Sequence, residues 1–365
     1  MKQKLRRNKI GGKPLFDLRV DNRGKVLLAV LLLTGAFNMP AEAAVQSEPL
    51  VVKATGQTVT DDFNVENCTN RAVLEIGSTT AADADGETFV NSKTISGTYS
   101  NKNEANGIWV QDKYPGKVNL ADGMTLKVDA TGNSYNSTGI YLEGVDTHNG
   151  IPDEFDADNA NKKYTKNGNQ ISSTTVNVGS GTKITVKAEA PEGKTGAYVN
   201  SMALENHFGH MNVGDNVHLN LTTGAFLKNY SAGFDQLYYG DTSIGNGFRS
   251  TVTVNTGNDS QDVIVSAVHS GHDRPDNLFQ IHAITQNKLR IGDDSVLTTQ
   301  VSGQPQGDDT EKQSINEAGT FLSHTDFTIG NRMTVDTEQT GLVGRKGHGV
   351  NDYNNMTGIY TSAAK

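Results

Sequence analysis

The sequence predicts an all-β fold: a right-handed parallel β-helix, a single-stranded solenoid with loop insertions, behind a cleaved signal peptide. Three observations carry this. A strand–corner–strand phrase recurs along the chain. A second strand phrase, opened by glycine, alternates with it. After Phe37 no sustained stretch keeps apolar residues at i, i+3, i+4 and i+7, so no long amphipathic helix is expected.

The clearest corner phrase is Met211-Asn212-Val213-Gly214-Asp215-Asn216-Val217-His218-Leu219-Asn220-Leu221. Apolar residues alternate on both sides of a Gly-Asp-Asn turn signal, which reads as strand, corner, strand. Copies run from Val118 to Val128, from Val176 through Gly179 to Val186, and from Phe327 through Gly330 to Val335. Looser copies are Leu74-Glu75-Ile76-Gly77, Ile244-Gly245 leading to Val254, and Leu289 to Leu297.

The second phrase is Gly107-Ile108-Trp109, Gly139-Ile140-Tyr141, Gly196-Ala197-Tyr198 and Gly358-Ile359-Tyr360. Between residues 107 and 141 the order is one such strand, two strands around a corner, then the glycine-opened strand again. Three short strands per coil is the unit of a parallel β-helix. One coil has too few apolar residues to hide its own inner face, whereas stacked coils shelter each other and pair their backbones above and below.

Corner positions 77, 121, 179, 214, 245, 292 and 330 are unevenly spaced. Inserted loops, and extra coils without the signature, are expected to account for this. The loop candidates are Asp146 to Asn169, Ser302 to Gln313 and Ser270 to Asp276. An antiparallel sandwich, or several small β domains, would also give short strands between turn signals. Two-residue hairpin signals are few, which favours the solenoid.

The composition agrees. Only 35% of the 365 residues are hydrophobic, 39 are glycine and 8 proline, and the apolar residues are ordered by period two, as a disordered chain's need not be. Residues 1–43 read as a signal peptide: nine basic residues, an apolar run over residues 26–37, then Ala41-Glu42-Ala43 with cleavage after Ala43. The apolar run falls short of the roughly 20 residues that span a bilayer, which argues against an anchor. Residues 44–72 read as an N-terminal leader or cap, and 73–365 as the solenoid. Setting residues 1–43 aside removes nine basic and three acidic residues from 32 and 41, leaving 23 and 38, net −15. So acidic a chain repels nucleic acid and anionic lipid. Its one cysteine, Cys68, has no partner for an internal disulfide and reads as a small, partly buried residue.

The long basic leader, the Gly-Ile-Tyr strands and the Val-Gly-Asp-x-x-x-Leu-x-Val corners resemble the passenger regions of type V autotransporters, the adhesin or haemagglutinin-like proteins of diderm bacteria. The resemblance covers roughly residues 1–43 and 71–365. It implies export to the outer-membrane surface or the medium, adhesion to a host or bacterial surface glycan or protein, and no cofactor. It also implies an outer-membrane β-barrel translocator. Gly358 to Lys365 falls within a coil phrase, so the barrel is expected to be missing from this chain. The leader also lacks the aromatic-rich extension of some members. No catalytic residue carries over.

Gly347-His348-Gly349 with Asp293-Asp294 or Asp308-Asp309 resembles part of a polygalacturonase site, where two carboxylates act as acid and base on a sugar. The Asn-Thr-Asp and Arg-x-Lys elements of that family are missing, so a β-helical lyase or hydrolase is the second expectation. His207 and His210, and His269 and His272 beside Asp273, have the i, i+3 spacing that could supply two zinc ligands. Asp153, Asp156 and Asp158, with Glu154, place oxygen donors where calcium could collect them, without an EF-hand glycine. Trp109, Tyr141, Tyr198 and Tyr360 suggest an aromatic ladder or a sugar-gripping strip.

Overall fold

A computed structural model describes residues 9–10, 13–14, 44–53, 56–77, 86–100, 104–111, 116–131, 136–143, 165–166, 169–170, 174–190, 196–207, 209–224, 226–237, 240–256, 262–271, 287–303, 316–323, 325–340 and 354–362. The chain divides into two units, residues 1–44 and 45–365. In the first, Lys9–Ile10 pairs antiparallel with Lys13–Pro14. The expected signal peptide and its Ala43 junction otherwise lie outside the described residues. Among those residues no helix is long and apolar enough to cross a membrane.

The second unit is a parallel β-helix with three sheets. Sheet 1 stacks, in chain order, Leu50–Val52, Ala72–Ile76, Glu104–Val110, Asn136–Leu142, Gly196–His207, Phe226–Leu237, Asp262–Ser270, Asn316–Ser323 and Asn354–Ser362. Sheet 2 stacks Thr58–Val59, Glu87–Val90, Lys117–Leu120, Thr175–Val178, His210–Val213, Asp241–Ile244, Asn287–Ile291 and Thr325–Ile329. Sheet 3 stacks Val45–Gln46, Asp62–Val65, Thr94–Thr98, Thr125–Asp129, Lys183–Glu189, His218–Gly224, Arg249–Thr256, Val296–Gly303 and Thr334–Thr340. Each coil visits the three sheets in that order, and every strand pairs in parallel with its equivalents one coil away. The sandwich alternative is thereby excluded. Among the described residues of this unit the one antiparallel pair, Thr165–Lys166 with Asn169–Gln170, is not part of the stack.

The core is a set of columns. In sheet 2, Val118, Val176, Met211, Thr242 and Leu289 lie in register and buried. In sheet 3, Ile95, Leu126, Ile184, Leu219, Ser250 and Leu297 do the same. Sheet 1 contributes Ile108, Ile140, Leu204, Phe234 and Val268. The alternation visible in the sequence is thus the in–out alternation of the strands.

The corner between sheets 2 and 3 keeps four residues in every coil from Ala121 onward. Its third residue has positive φ each time: Gly123, Gly181, Asn216, Gly247, Asp294 and Arg332. Glycine, Asn and Asp tolerate that region; Arg332 does so beside a two-pronged pairing with Asp294, at 2.5 and 2.7 Å. The second corner residue binds upward. Asp122 Oδ1 accepts from the Ser180 amide, Ser180 Oγ from Asp215, Asp215 Oδ1 from Asn246, Asn246 Oδ1 from Asp293 and Asp293 Oδ1 from Asn331. A side-chain oxygen in each coil therefore satisfies an amide that the turn would leave unpaired in the next. The pair Asp293-Asp294, read as possible catalytic carboxylates, is part of this ladder.

Two phrases sit elsewhere than expected. Leu74-Glu75-Ile76-Gly77 is no corner copy but the end of a sheet 1 strand; the corner of that coil is Asn91-Ser92-Lys93, which lacks the glycine signature. Equivalent corner positions are then 60, 91, 121, 179, 214, 245, 292 and 330, separated by 31, 30, 58, 35, 31, 47 and 38 residues. The wide 58 and 47 steps are single coils, because the strands on either side pair directly, so insertions explain them and signature-free coils do not. Gly196-Ala197-Tyr198 opens a 12-residue strand, seven positions before the register of Gly139-Ile140-Tyr141, whose Tyr141 pairs with Glu205. The stretch expected as leader or cap supplies the first rungs of all three sheets. Asp146 to Asn169 and the other expected loops lie almost wholly outside the described residues. Cys68 is free and buried, close to Tyr99, whose hydroxyl burial holds in the protonated form.

Candidate functional site

One column on the outer face of sheet 1 changes character along the stack. Its register partners are Glu75, Trp109, Tyr141, Glu205, Asp235, His269, Phe321 and Tyr360. Beyond Glu75, aromatic residues flank the middle on both sides: the Trp109 indole donates to Glu143 at 2.9 Å beneath the Arg71 guanidinium, and Phe321 lies 6.0 Å from Tyr360. The middle three positions are an acid, an acid and an imidazole. The expected aromatic ladder is therefore interrupted where the chemistry-bearing side chains stand. Tyr360 is exposed, while Trp109 is buried.

Sheet 1 builds this site by a local slip. Ala203 and Leu204 both face the core, so strict alternation fails for one residue. Past the slip, Glu205 and His207 share the outer face as i and i+2 partners. In the next strand the same slip lets Tyr230 and Asp235, five residues apart, meet at 3.2 Å. The outer face here also carries a small apolar cluster of Met202, Tyr230, Ala232 and Ile264. Asp235 has 0% exposure, His269 3% and Glu205 7%.

The contacts are specific. His207 Nε2 lies 2.9 Å from Glu205 Oε1, and Thr138 Oγ1 donates to Glu205 Oε2 at 3.0 Å. The Tyr141 hydroxyl is 3.3 Å from His207 Nδ1, with the rings edge to face at 5.2 Å. His269 Nδ1 lies 2.8 Å from Asp235 Oδ1, which also accepts from Tyr230. Glu205, His207 and Asp235 bring their ligand-type atoms within 4.8 Å of one another. Four strands, Asn136–Leu142, Gly196–His207, Phe226–Leu237 and Asp262–Ser270, thus contribute to one cluster.

The expected pairs are divided differently. His207 joins the cluster, whereas His210, across the corner on sheet 2, sits 3.7 Å from Asp241 and is half-exposed. His269 joins as well; His272 and Asp273 lie outside the described residues. So do Asp153, Glu154, Asp156 and Asp158, along with Gly347-His348-Gly349 and Asp308-Asp309. Sequence reasoning missed Glu205, Asp235 and Tyr230. The signal that could have found them is the register itself: stepping up from Trp109 and Tyr141 by one coil lands on Glu205, then Asp235, then His269.

No protein-family model matches this chain, and neither a curated protein nor a solved structure does.

Proposed function

We propose that this chain is the exported, surface-displayed binding portion of an adhesin resembling autotransporter passengers, without catalysis of its own. The observation that carries the reading is where chain length varies. The corner between sheets 2 and 3 holds four residues from coil to coil. The junction from sheet 1 to sheet 2 ranges from one residue, between Ser323 and Thr325, to 32, between Leu142 and Thr175. From sheet 3 to sheet 1 it ranges from one, between Gly224 and Phe226, to 13, between Thr340 and Asn354. A rigid stack that tolerates insertion at two edges is suited to presenting variable segments to a partner, as other binding scaffolds do. The partner class that fits a net acidic exterior is a neutral or basic glycan or protein on a host or neighbouring cell, with nucleic acid disfavoured.

The test is adherence of the full-length chain to glycan-coated and cell-coated surfaces. A variant lacking residues 146–169, the largest insertion, is compared beside it. Saturable adherence that the deletion weakens supports the reading. A β-helical lyase or hydrolase is the second reading, favoured by the convergence of Glu205, Asp235 and His269 on one sheet face. Such enzymes need their carboxylates in contact with a sugar, and these two are buried. Release of reducing ends or new double bonds from pectin-like polymers, without adherence, would replace the first reading with the second.

A further inference from the structure

We propose that Glu205, His207 and Asp235 form a binding site for one first-row divalent transition ion, zinc being the probe of choice, on the outer face of sheet 1. This goes beyond adhesion and does not depend on it.

The donor set comes first. One imidazole nitrogen and two carboxylates, all with ligand atoms within 4.8 Å, match the nitrogen and oxygen donors that zinc and its neighbours accept. Ligand atoms around a tetrahedral zinc stand about 3.3 Å apart, given metal–ligand lengths near 2.0–2.1 Å. The 2.9 Å between Glu205 Oε1 and His207 Nε2 therefore has to open by only a few tenths of an ångström. Two carboxylates also neutralise a divalent ion, which makes the charged assembly tolerable in a buried place.

The second observation is independent of the donors. Each has its own outer partner, on an atom the metal would not use. Thr138 holds Glu205 through Oε2, leaving Oε1 toward His207. The Tyr141 hydroxyl stands at His207 Nδ1, leaving Nε2 toward the cluster. Tyr230 and His269 both engage Asp235 through Oδ1. Partners of this kind orient ligands in metal sites, where an imidazole's second nitrogen and a carboxylate's second oxygen are commonly hydrogen-bonded. His269 is thus a positioning residue, and its Nδ1–H donates to the carboxylate.

The proton balance is simple. Without metal, His207 Nε2 lies 2.9 Å from Glu205 Oε1 but makes no hydrogen bond there. The ion takes the Nε2 lone pair of the neutral imidazole, whose single proton sits on Nδ1 and is donated to the Tyr141 hydroxyl oxygen; any proton carried on Nε2 beforehand is released to solvent. Both carboxylates are ionised and nothing is oxidised or reduced. The site ties two successive rungs of sheet 1, Gly196–His207 and Phe226–Leu237, so the ion acts as a cross-coil clamp in a chain with no disulfide.

The experiment titrates chelator-stripped, full-length protein with zinc in competition with a chromogenic chelator. The expected result is one tight equivalent per chain and a rise in Tm with zinc concentration. Glu205→Gln, His207→Ala and Asp235→Asn each remove that equivalent. Thr138→Val weakens it by about 10–100-fold, the usual penalty for losing an outer partner. His210→Ala, at an exposed histidine outside the cluster, leaves it unchanged. Zinc that binds equally well to all three ligand variants overturns the proposal. Should a ligand variant lose its β-sheet circular dichroism, the wild type decides: absence of both the tight equivalent and the Tm shift overturns it too. Cobalt(II) supplies a separate check, since the bound ion should show visible bands of a low-symmetry nitrogen–oxygen site, which His207→Ala abolishes.

Discussion

At Gly292 an added Cβ would lie 2.6 Å from the carbonyl carbon and oxygen of Gly245 in the preceding coil, and both are backbone atoms. At Gly123 an added Cβ meets nothing within 4 Å, but φ is +68°. The two glycines of one corner motif therefore answer to different physics, close approach in the first and torsion in the second. Gly292→Ala must push two coils apart, at about 1–3 kcal/mol for an overpacked site. Gly123→Ala incurs only the left-handed backbone penalty, roughly 1–2 kcal/mol. Denaturant midpoints of the two variants check this, with Gly292→Ala expected to fall further; the reverse order would show that the coils slide apart easily. His218 makes a second residue-scale case. It stands between Lys183 and Arg249 on the outer face of sheet 3. Burial first, then Arg249 and Lys183, hold its pKa below the usual 6.5. A depressed folded pKa means that the unfolded chain binds the proton more readily, so the contribution to stability is complete above pH 6.5 and disappears as pH falls through the lowered value. His218→Gln should flatten the stability curve below pH 6.5, as thermal melts on either side of that value would reveal.

Elements in this chain are repeated, and the repeats differ in how openly the sequence declares them. The second and third sheets were legible because the corner between them imposes glycine, Asp or Asn at fixed offsets, and because Val176-Asn177-Val178 or Leu219-Asn220-Leu221 alternates strictly. The corner Asn91-Ser92-Lys93 escaped notice because neither of its constraints demanded glycine there. Sheet 1 was harder. Its slip at Ala203-Leu204 breaks the period, and the decoy Gly196-Ala197-Tyr198 drew the register seven residues early. The cluster was hidden for a related reason. Tyr141, Glu205, Asp235 and His269 are neighbours only through parallel pairing, 64, 30 and 34 residues apart, and period-two reasoning assigns such outer positions to solvent. The same logic yields a test of what is essential in a coil. Val110 reaches Lys117 through six residues, whereas Leu142 reaches Thr175 through 32, yet the flanking strands pair in register. Deleting residues 146–169 leaves eight residues for that junction, enough by the shorter example. The β-sheet circular dichroism and the melting temperature should then stay close to those of the parent. Loss of the sheet signal would mean that the insertion carries structure the stack requires.

Across the whole molecule, stability comes from neighbouring coils sheltering one another, so it should vary along the axis. In the middle coils the inward side chains are fully covered: Leu126, Ile184, Leu219, Val252 and Leu297 have at most 1% exposure. In the last described coil, Phe327, Met333 and Val335 pack against the core but are only partly buried, and Tyr360 is 50% exposed. Among the described residues backbone pairing is one-sided there, since Thr334–Thr340 bonds only to Val296–Gly303 and Asn354–Ser362 only to Asn316–Ser323. A coil paired on one side has half the interface and should open locally while the middle stays closed. Amide hydrogen exchange is expected to be fastest in Thr334–Thr340 and Asn354–Ser362. It should slow through Val296–Gly303 and be slowest in Lys183–Glu189 and His218–Gly224. Added zinc, bound in the middle of sheet 1, should retard Gly196–His207 and Phe226–Leu237 more than either of the last two strands. Uniform exchange along the axis would instead mark the stack as one all-or-none unit, whose coils cannot open separately, and the nearest-neighbour account of its stability would have to be given up.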